Sequence, residues 1–311
     1  MLSRVASNLY WFSRYVRRAE NTARLVGVGS QLQLDLPRSV RFTWRPLIDT
    51  VGAGDIFHAL YDDDGAGDAE VVRFLLLDPD NPSSLASSVR AAREIVRSVR
   101  DALPQEAWEA INDLHLYLGA DGERGISRRY RIEFINRVTD GCLKVSGLLT
   151  ANVSRDIGFH FLRLGTALEQ ADMTTRIIDA GASGLVQPRL EEDREAYRNM
   201  QWMSVLRALA AYQMYRRHVR QRVGGEHALK FLLQNPDFPR SVQFCLTRVQ
   251  RVLPGMPPRP GVERQLNRLM GLVRNADPAS LAAREPSAFM DELQVHLGRL
   301  HGAVAEAYFD N

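Results

Sequence analysis

Cysteine, lysine and long apolar runs are all scarce in this sequence. Of 311 residues only Cys142 and Cys245 are cysteines. Two thiols cannot build a disulfide framework or fill a four-ligand zinc site. Both sit among apolar neighbours and read as small core residues. Lysine occurs only at Lys144 and Lys230, so arginine supplies 38 of the 40 basic side chains. No uninterrupted apolar stretch approaches the roughly 18 residues a membrane span needs. Charges near the start arrive too early and recur too often for a secretory leader, so a cytoplasmic protein is expected. The short signatures of phosphate loops, dinucleotide folds, zinc proteases and serine hydrolases do not occur. The histidines (58, 115, 160, 218, 227, 296 and 301) show no ligand spacing; a five-residue step such as His296 to His301 turns about 140° on a helix. Neither a metal nor a cofactor is expected.

Hydrophobic residues make up 45% of the chain and charged residues 25%, the balance of an ordinary globular protein. Forty basic against 37 acidic side chains leave a formal charge of +3, too small a surplus for a nucleic-acid footprint. The arginine bias reads either as codon usage or as guanidinium forks for ion pairs and anions.

Three- and four-residue apolar steps run through Leu9, Phe12, Val16, Ala19, Ala23 and Val26 and predict a helix from about Ser3 to Leu34, with Pro37 beyond it. Further helices are predicted over 44–61, 71–77, 83–103, 105–118 and 127–152, the third capped by Ser83 or Asn81. Segment 121–125, with two glycines, reads as a loop. No two-residue alternation is sustained, so no sheet is expected. Asp62 to Asp68 alternates carboxylates, but in an EF-hand frame position twelve falls on Arg73 instead of Glu, which argues against calcium.

An internal repeat is present. Ala19-Glu20-Asn21-Thr22-Ala23-Arg24-Leu25 matches Ala171-Asp172-Met173-Thr174-Thr175-Arg176-Ile177 at an offset of 152 residues. Phe74 through Leu85, with its Asp78-Pro79-Asp80 corner, matches Phe231 through Val242 at an offset of 157, and Trp44 and Trp202 fall between the two matches at 158. Collinear matches predict two degenerate helical units, about 1–150 and 151–311, packed as a pseudo-twofold all-α bundle within one domain.

The first match pairs Glu20 with Arg24 and Asp172 with Arg176, each four residues apart. Such pairs are either surface contacts worth a few tenths of a kcal/mol or, if internal, a network or ligand site. A twofold that packs the two helices together would converge Arg14, Arg17, Glu20, Asn21, Arg24, Glu169, Asp172 and Arg176 on one centre. Cations would outnumber acids there, so the centre could take a carboxylate or phosphate. Arg90, Arg93, Glu94, Arg97 and Arg100 form a second stripe, either a solvated face or a groove for an acidic group.

The run from Leu9 through Arg24 resembles the opening motif of the bacterial alpha-E family. Asn81-Pro82-Ser83-Ser84, Arg90-Ala91-Ala92-Arg93-Glu94, Leu168 through Arg176 and Pro236 through Val242 are similar to later motifs of that family, in order. The resemblance implies an all-helical domain with Glu-Arg motifs, encoded beside a circularly permuted ATP-grasp protein and a transglutaminase-like protein. The family pair should fall at Arg17-Arg18 and Glu169-Gln170, where the first lacks its Glu and the second its Arg. Thr166 stands where another Arg is expected. One whole pair could form between Arg18 and Glu169. The resemblance implies an accessory or scaffold subunit of an ATP-grasp-dependent amide-forming or peptide-tagging system. An enzyme of amide chemistry using an acid–arginine site, and a regulatory peptide-binding module, are the alternatives.

Overall fold

The computed structural model describes residues 2–36, 40–61, 66–182, 186–187, 194–284 and 286–310. The chain is all-helical. Helix α1 (Ser3–Asp35) follows the predicted stripe, and Leu9, Phe12, Val16, Ala19, Ala23 and Val26 are all buried. Burial extends well beyond that stripe, to Glu20, Asn21 and Thr22, because α1 is the central helix. It packs on α5 (Leu85–Ser98), α7 (Arg128–Asn152) and, most extensively, α8 (Ile157–Ala182). Helix α8 in turn carries α12 (Val242–Val252) and α15 (Ser287–Tyr308).

The close approach of α1 and α8 depends on Gly165. A Cβ there would overlap the Tyr10 carbonyl and the Ser13 hydroxyl, so only glycine lets the two backbones come this near.

Around this pair lie α2 (Arg45–Thr50), α3 (Gly54–Leu60), α4 (Asp68–Leu76), α6 (Gln105–Ile126), α9 (Arg194–Ala208), α10 (Tyr212–Val219), α11 (Gly225–Gln234), α13 (Pro260–Asn275) and α14 (Pro278–Arg284). Helices α6 and α7 form a long hairpin, and α13 packs on α15.

Several expectations need correction. The single helix expected over 44–61 is two, α2 and α3, broken at Gly52, whose φ of +69° suits glycine alone. Segment 121–125 is not a loop but part of α6. Its glycines are packing residues: a Cβ on Gly122 would meet Leu77 Cδ2 at 2.9 Å, and one on Gly125 would meet the Phe134 ring. Helix α5 starts and ends short of expectation, with Ser84 as its cap and a 3₁₀ turn over Arg100–Ala102. A two-residue antiparallel pair joins Arg41–Phe42 to Val186–Gln187, where no sheet was expected. Asp62 to Gly65 and Pro37 lie outside the described residues. Asp68 opens α4 and accepts from the buried Arg131 at 3.0 Å.

The two Pro-Asp corners share local structure. Asp78 Oδ1 accepts the Asp80 amide and Asn235 Oδ1 the Asp237 amide, both at 2.9 Å. Ser84 caps α5 by accepting the Ser87 amide at 3.1 Å, and Ser241 caps α12 by accepting the Phe244 amide at 3.0 Å. Among the described residues no helix is long and apolar enough to cross a membrane.

Candidate functional site

The α1–α8 contact is lined with charge. Glu20 is wholly buried on α1. Its Oε1 accepts from Arg24 Nε at 2.9 Å and from Arg240 Nη2, and its Oε2 accepts from Arg17 Nη1. Arg240, just before α12, also donates to Asn21 Oδ1 at 3.1 Å and Gln170 Oε1 at 3.2 Å. Thr174 anchors it by donating its hydroxyl to the Arg240 carbonyl at 2.9 Å. Burial opposes the charge on Glu20, but Arg17, Arg240 and Arg24 outweigh it and hold the carboxyl down to about 2.

The second centre is Glu169 on α8, also wholly buried. Arg14 Nε donates to Oε2 at 2.7 Å, and Arg18 donates Nε to Oε1 at 2.6 Å and Nη2 to Oε2 at 3.1 Å. Here too burial is overridden, by Arg14 and Arg18, and the carboxyl sits at about 2. Arg14 lies 4.8 Å from the Trp11 ring centroid and donates to the Tyr10 hydroxyl at 3.1 Å. That hydroxyl hydrogen-bonds His301 Nδ1 on α15 at 2.8 Å. Burial, then Arg14, push the His301 ring down to about 4.

The expected single centre is therefore two. Arg17, Glu20, Asn21 and Arg24 gather around one carboxylate, and Arg14 joins Arg18 around Glu169. Asp172 and Arg176 do not enter either cluster. They pair with each other at 2.9 Å while 19% and 29% exposed. With Arg18, Glu169, Gly52 and Ser83 they border a cavity of about 240 Å³. At the 157-residue spacing Ser83 corresponds to Arg240, so the third guanidinium given to Glu20 is missing beside Asp172. The sequence signals for Arg240 were its place in the second repeat match and in the family-like run Pro236 through Val242.

The stripe on α5 lies apart from both centres. Arg93 donates to Asn112 Oδ1 and to Glu94 at 2.8 Å each, and Arg90 to Ser87 Oγ at 3.3 Å. Arg93 and Arg100 rest over the Trp108 ring at 5.4 and 4.5 Å. The stripe is thus tied down by its own helix and α6. Both thiols are silenced by burial, which raises Cys142 and pushes Cys245 up to about 12.

A buried Glu-Arg pair assembled from two helices is the most distinctive chemistry in the molecule. A family model described as a predicted alpha-helical domain with a conserved ER motif matches residues 1–309. The chain belongs to the Alpha-E family. Curated relatives are an uncharacterized protein of Mycobacterium bovis and uncharacterized proteins from two strains of Mycobacterium tuberculosis. Each is 24% identical over 324 residues, a match covering 97% of this chain and 36% of theirs. This Alpha-E chain therefore spans about a third of the length of the curated relatives it matches. No solved structure matches it.

Proposed function

We propose that this Alpha-E protein is a cytoplasmic, non-catalytic helical subunit, an accessory or scaffold for an ATP-grasp-dependent amide-forming or peptide-tagging system, working beside ATP-grasp and transglutaminase-like partners. The observation that carries the reading is the match in length. The whole helical domain aligns to 36% of much longer chains, as expected of a module that acts attached to other protein. The electrostatics agree. A general base needs a pKa near the working pH, whereas Glu20 and Glu169 are both held at about 2. Saturated by guanidiniums, they act as rigid keystones and not as proton acceptors, which disfavours these two residues as the general base of the enzyme alternative.

The same reading takes the chain as one domain of two degenerate units, about 1–150 and 151–311, around an approximate twofold. Support comes from the equivalent caps and corners, from α1 packing on α5 as α8 packs on α12, and from the equal 2.9 Å Nε–carboxylate distances in Glu20–Arg24 and Asp172–Arg176.

Co-purification with an ATP-grasp protein of the kind the resemblance implies, with and without ATP and candidate amino acids, tests the proposal. A stoichiometric complex, and ligase activity that needs both proteins, are expected. Amide formation by this chain alone, or an ATP-grasp protein indifferent to it, would reject the accessory role.

A further inference from the structure

We propose that the cavity between α1, α7, α8 and α12 binds a small, multiply charged oxyanion carried on a short apolar body: a phosphorylated or polycarboxylic small molecule. The inference does not rest on the accessory-subunit reading. The cavity holds about 360 Å³, within the range of about 300–1,000 Å³ typical of small-molecule sites. Arg17, Arg163, Arg240 and Arg248 all reach its wall, and among the described residues no carboxylate does. The Ser146 hydroxyl also lines the wall, whereas Thr150 and Thr166 donate theirs to the Ser146 and Leu162 carbonyls, so the arginines are the principal donors; Leu149, Phe159 and Leu162 make an apolar side.

The pairing of these cations is incomplete. Arg17 and Arg240 share Glu20 with Arg24, so three guanidiniums draw on one acid. The Arg17 Nε is buried and lacks a hydrogen-bond partner among the described residues. Arg163 and Arg248 form no ion pair among the described residues. They rest only on ring faces, Arg163 5.6 Å from Phe159 and Arg248 5.0 Å from Phe244. Burial, then Arg163, press the Arg248 guanidinium down to about 10, and burial, then Arg155, lower Arg163.

Like charges drawn together away from water are unfavourable unless a counter-charge answers them. An oxyanion with two or more charges answers several forks at once through short bidentate bonds. A single carboxylate would leave most of the positive field uncompensated. A nucleotide base finds no platform, because Phe159 is already covered by Arg155 at 4.1 Å as well as by Arg163, and base binding relies on an open aromatic face.

The test uses the full chain, with inorganic phosphate and citrate as probes at constant ionic strength and chloride as the control. Thermal melts and calorimetric titration are run on the native protein, Arg248→Gln and Arg163→Gln. A saturable rise in Tm with phosphate or citrate and none with chloride is expected, with affinity at least tenfold weaker in either variant. Response to phosphate alone identifies a phosphorylated ligand; response to citrate alone identifies a polycarboxylate. The unliganded variants should melt at or above the native temperature, because each loses an unanswered cation. If arginine stems only shield apolar surface, the variants melt lower and no probe discriminates them from native protein. That result, or equal response to chloride, overturns the proposal. Native co-purification by variants that have lost anion binding would leave the accessory role standing on its own.

Discussion

Arg18 on α1 and Glu169 on α8 form one bidentate Glu-Arg pair across 151 positions of sequence, with Nε 2.6 Å from Oε1 and Nη2 3.1 Å from Oε2. The resemblance to the family implies an incomplete Glu-Arg pair on each helix, at Arg17-Arg18 and Glu169-Gln170, and in the structure the Arg of one position meets the Glu of the other across the α1–α8 contact. The pair also pins α1 to α8 at the place where Gly165 brings them closest.

Glu169→Gln should therefore be severe. It strands Arg14 and Arg18, which are 10% and 20% exposed, around a neutral amide. Breaking a buried charge pair in this way costs about 3–5 kcal/mol. Asp172→Asn touches only a partly exposed pair four residues apart and should cost at most about 1 kcal/mol. Urea unfolding of the two variants measures the contrast; equal losses would show that Glu169 is no keystone.

Acid should destabilise the protein in two stages. His301 is held down to about 4 from an ordinary 6.5. A depressed pKa means the unfolded chain takes the proton first, so stability present above about 6.5 is lost as pH falls towards 4. Glu20 and Glu169 sit at about 2 against an ordinary 4.5. By the same linkage their contribution is intact above about 4.5 and lost as pH falls towards 2. Melting temperature followed from pH 8 to pH 2 at fixed ionic strength should decline in both windows. Burial also lowers His115 and His296, so His301→Gln should shrink the first decline and leave the second, and a His301→Gln curve identical to native would assign the early decline to those two residues.

Helix α1 and its acid–arginine pair were legible because a single amphipathic helix writes its period and its four-residue partners directly into sequence. The Arg18–Glu169 pair was legible only through the family pattern, since nothing local connects the two residues. Glycine misled the reading twice, in opposite senses. Gly52 breaks a helix that apolar spacing carried across it, because its backbone turns left-handed. Gly122 and Gly125 look like loop residues, yet they are helical because Leu77 and Phe134 occupy the space of their missing side chains. Arg163, Arg240 and Arg248 carry no sequence signal as a group; only the packing of α8 against α12 brings them to one cavity.

Arg24→Lys and Arg176→Lys separate architecture from recognition. Glu20 keeps Arg17 and Arg240 when Arg24 is replaced, and Asp172–Arg176 is partly solvated. Lysine preserves the charge, so both variants should melt close to the native protein. Lysine cannot reproduce a planar fork, so if these residues present donors to a partner, capture of the proposed ATP-grasp partner should weaken at least several-fold. Normal melting with normal capture would leave both pairs as ordinary intrahelical contacts.

Gly165→Ala and Gly147→Ala offer a paired test of the architecture that sets both charged centres. Both glycines lie inside helices, where alanine is intrinsically better by about 1 kcal/mol. At Gly147, on the exposed side of α7, an added methyl meets nothing within 4 Å, so the substitution should stabilise by about 0.4–1 kcal/mol. At Gly165 the methyl collides with backbone, the Tyr10 carbonyl, which cannot rotate away as a side chain would. Relief requires α1 and α8 to part, and the Arg14–Glu169 and Arg18–Glu169 bonds stretch with them. Overpacking alone costs about 1–3 kcal/mol, and loosening a buried ion pair adds to it. The two variants should thus shift the melting temperature in opposite directions. A Gly165→Ala protein as stable as Gly147→Ala would mean that α1 and α8 do not meet as closely as the shared Glu169 network requires.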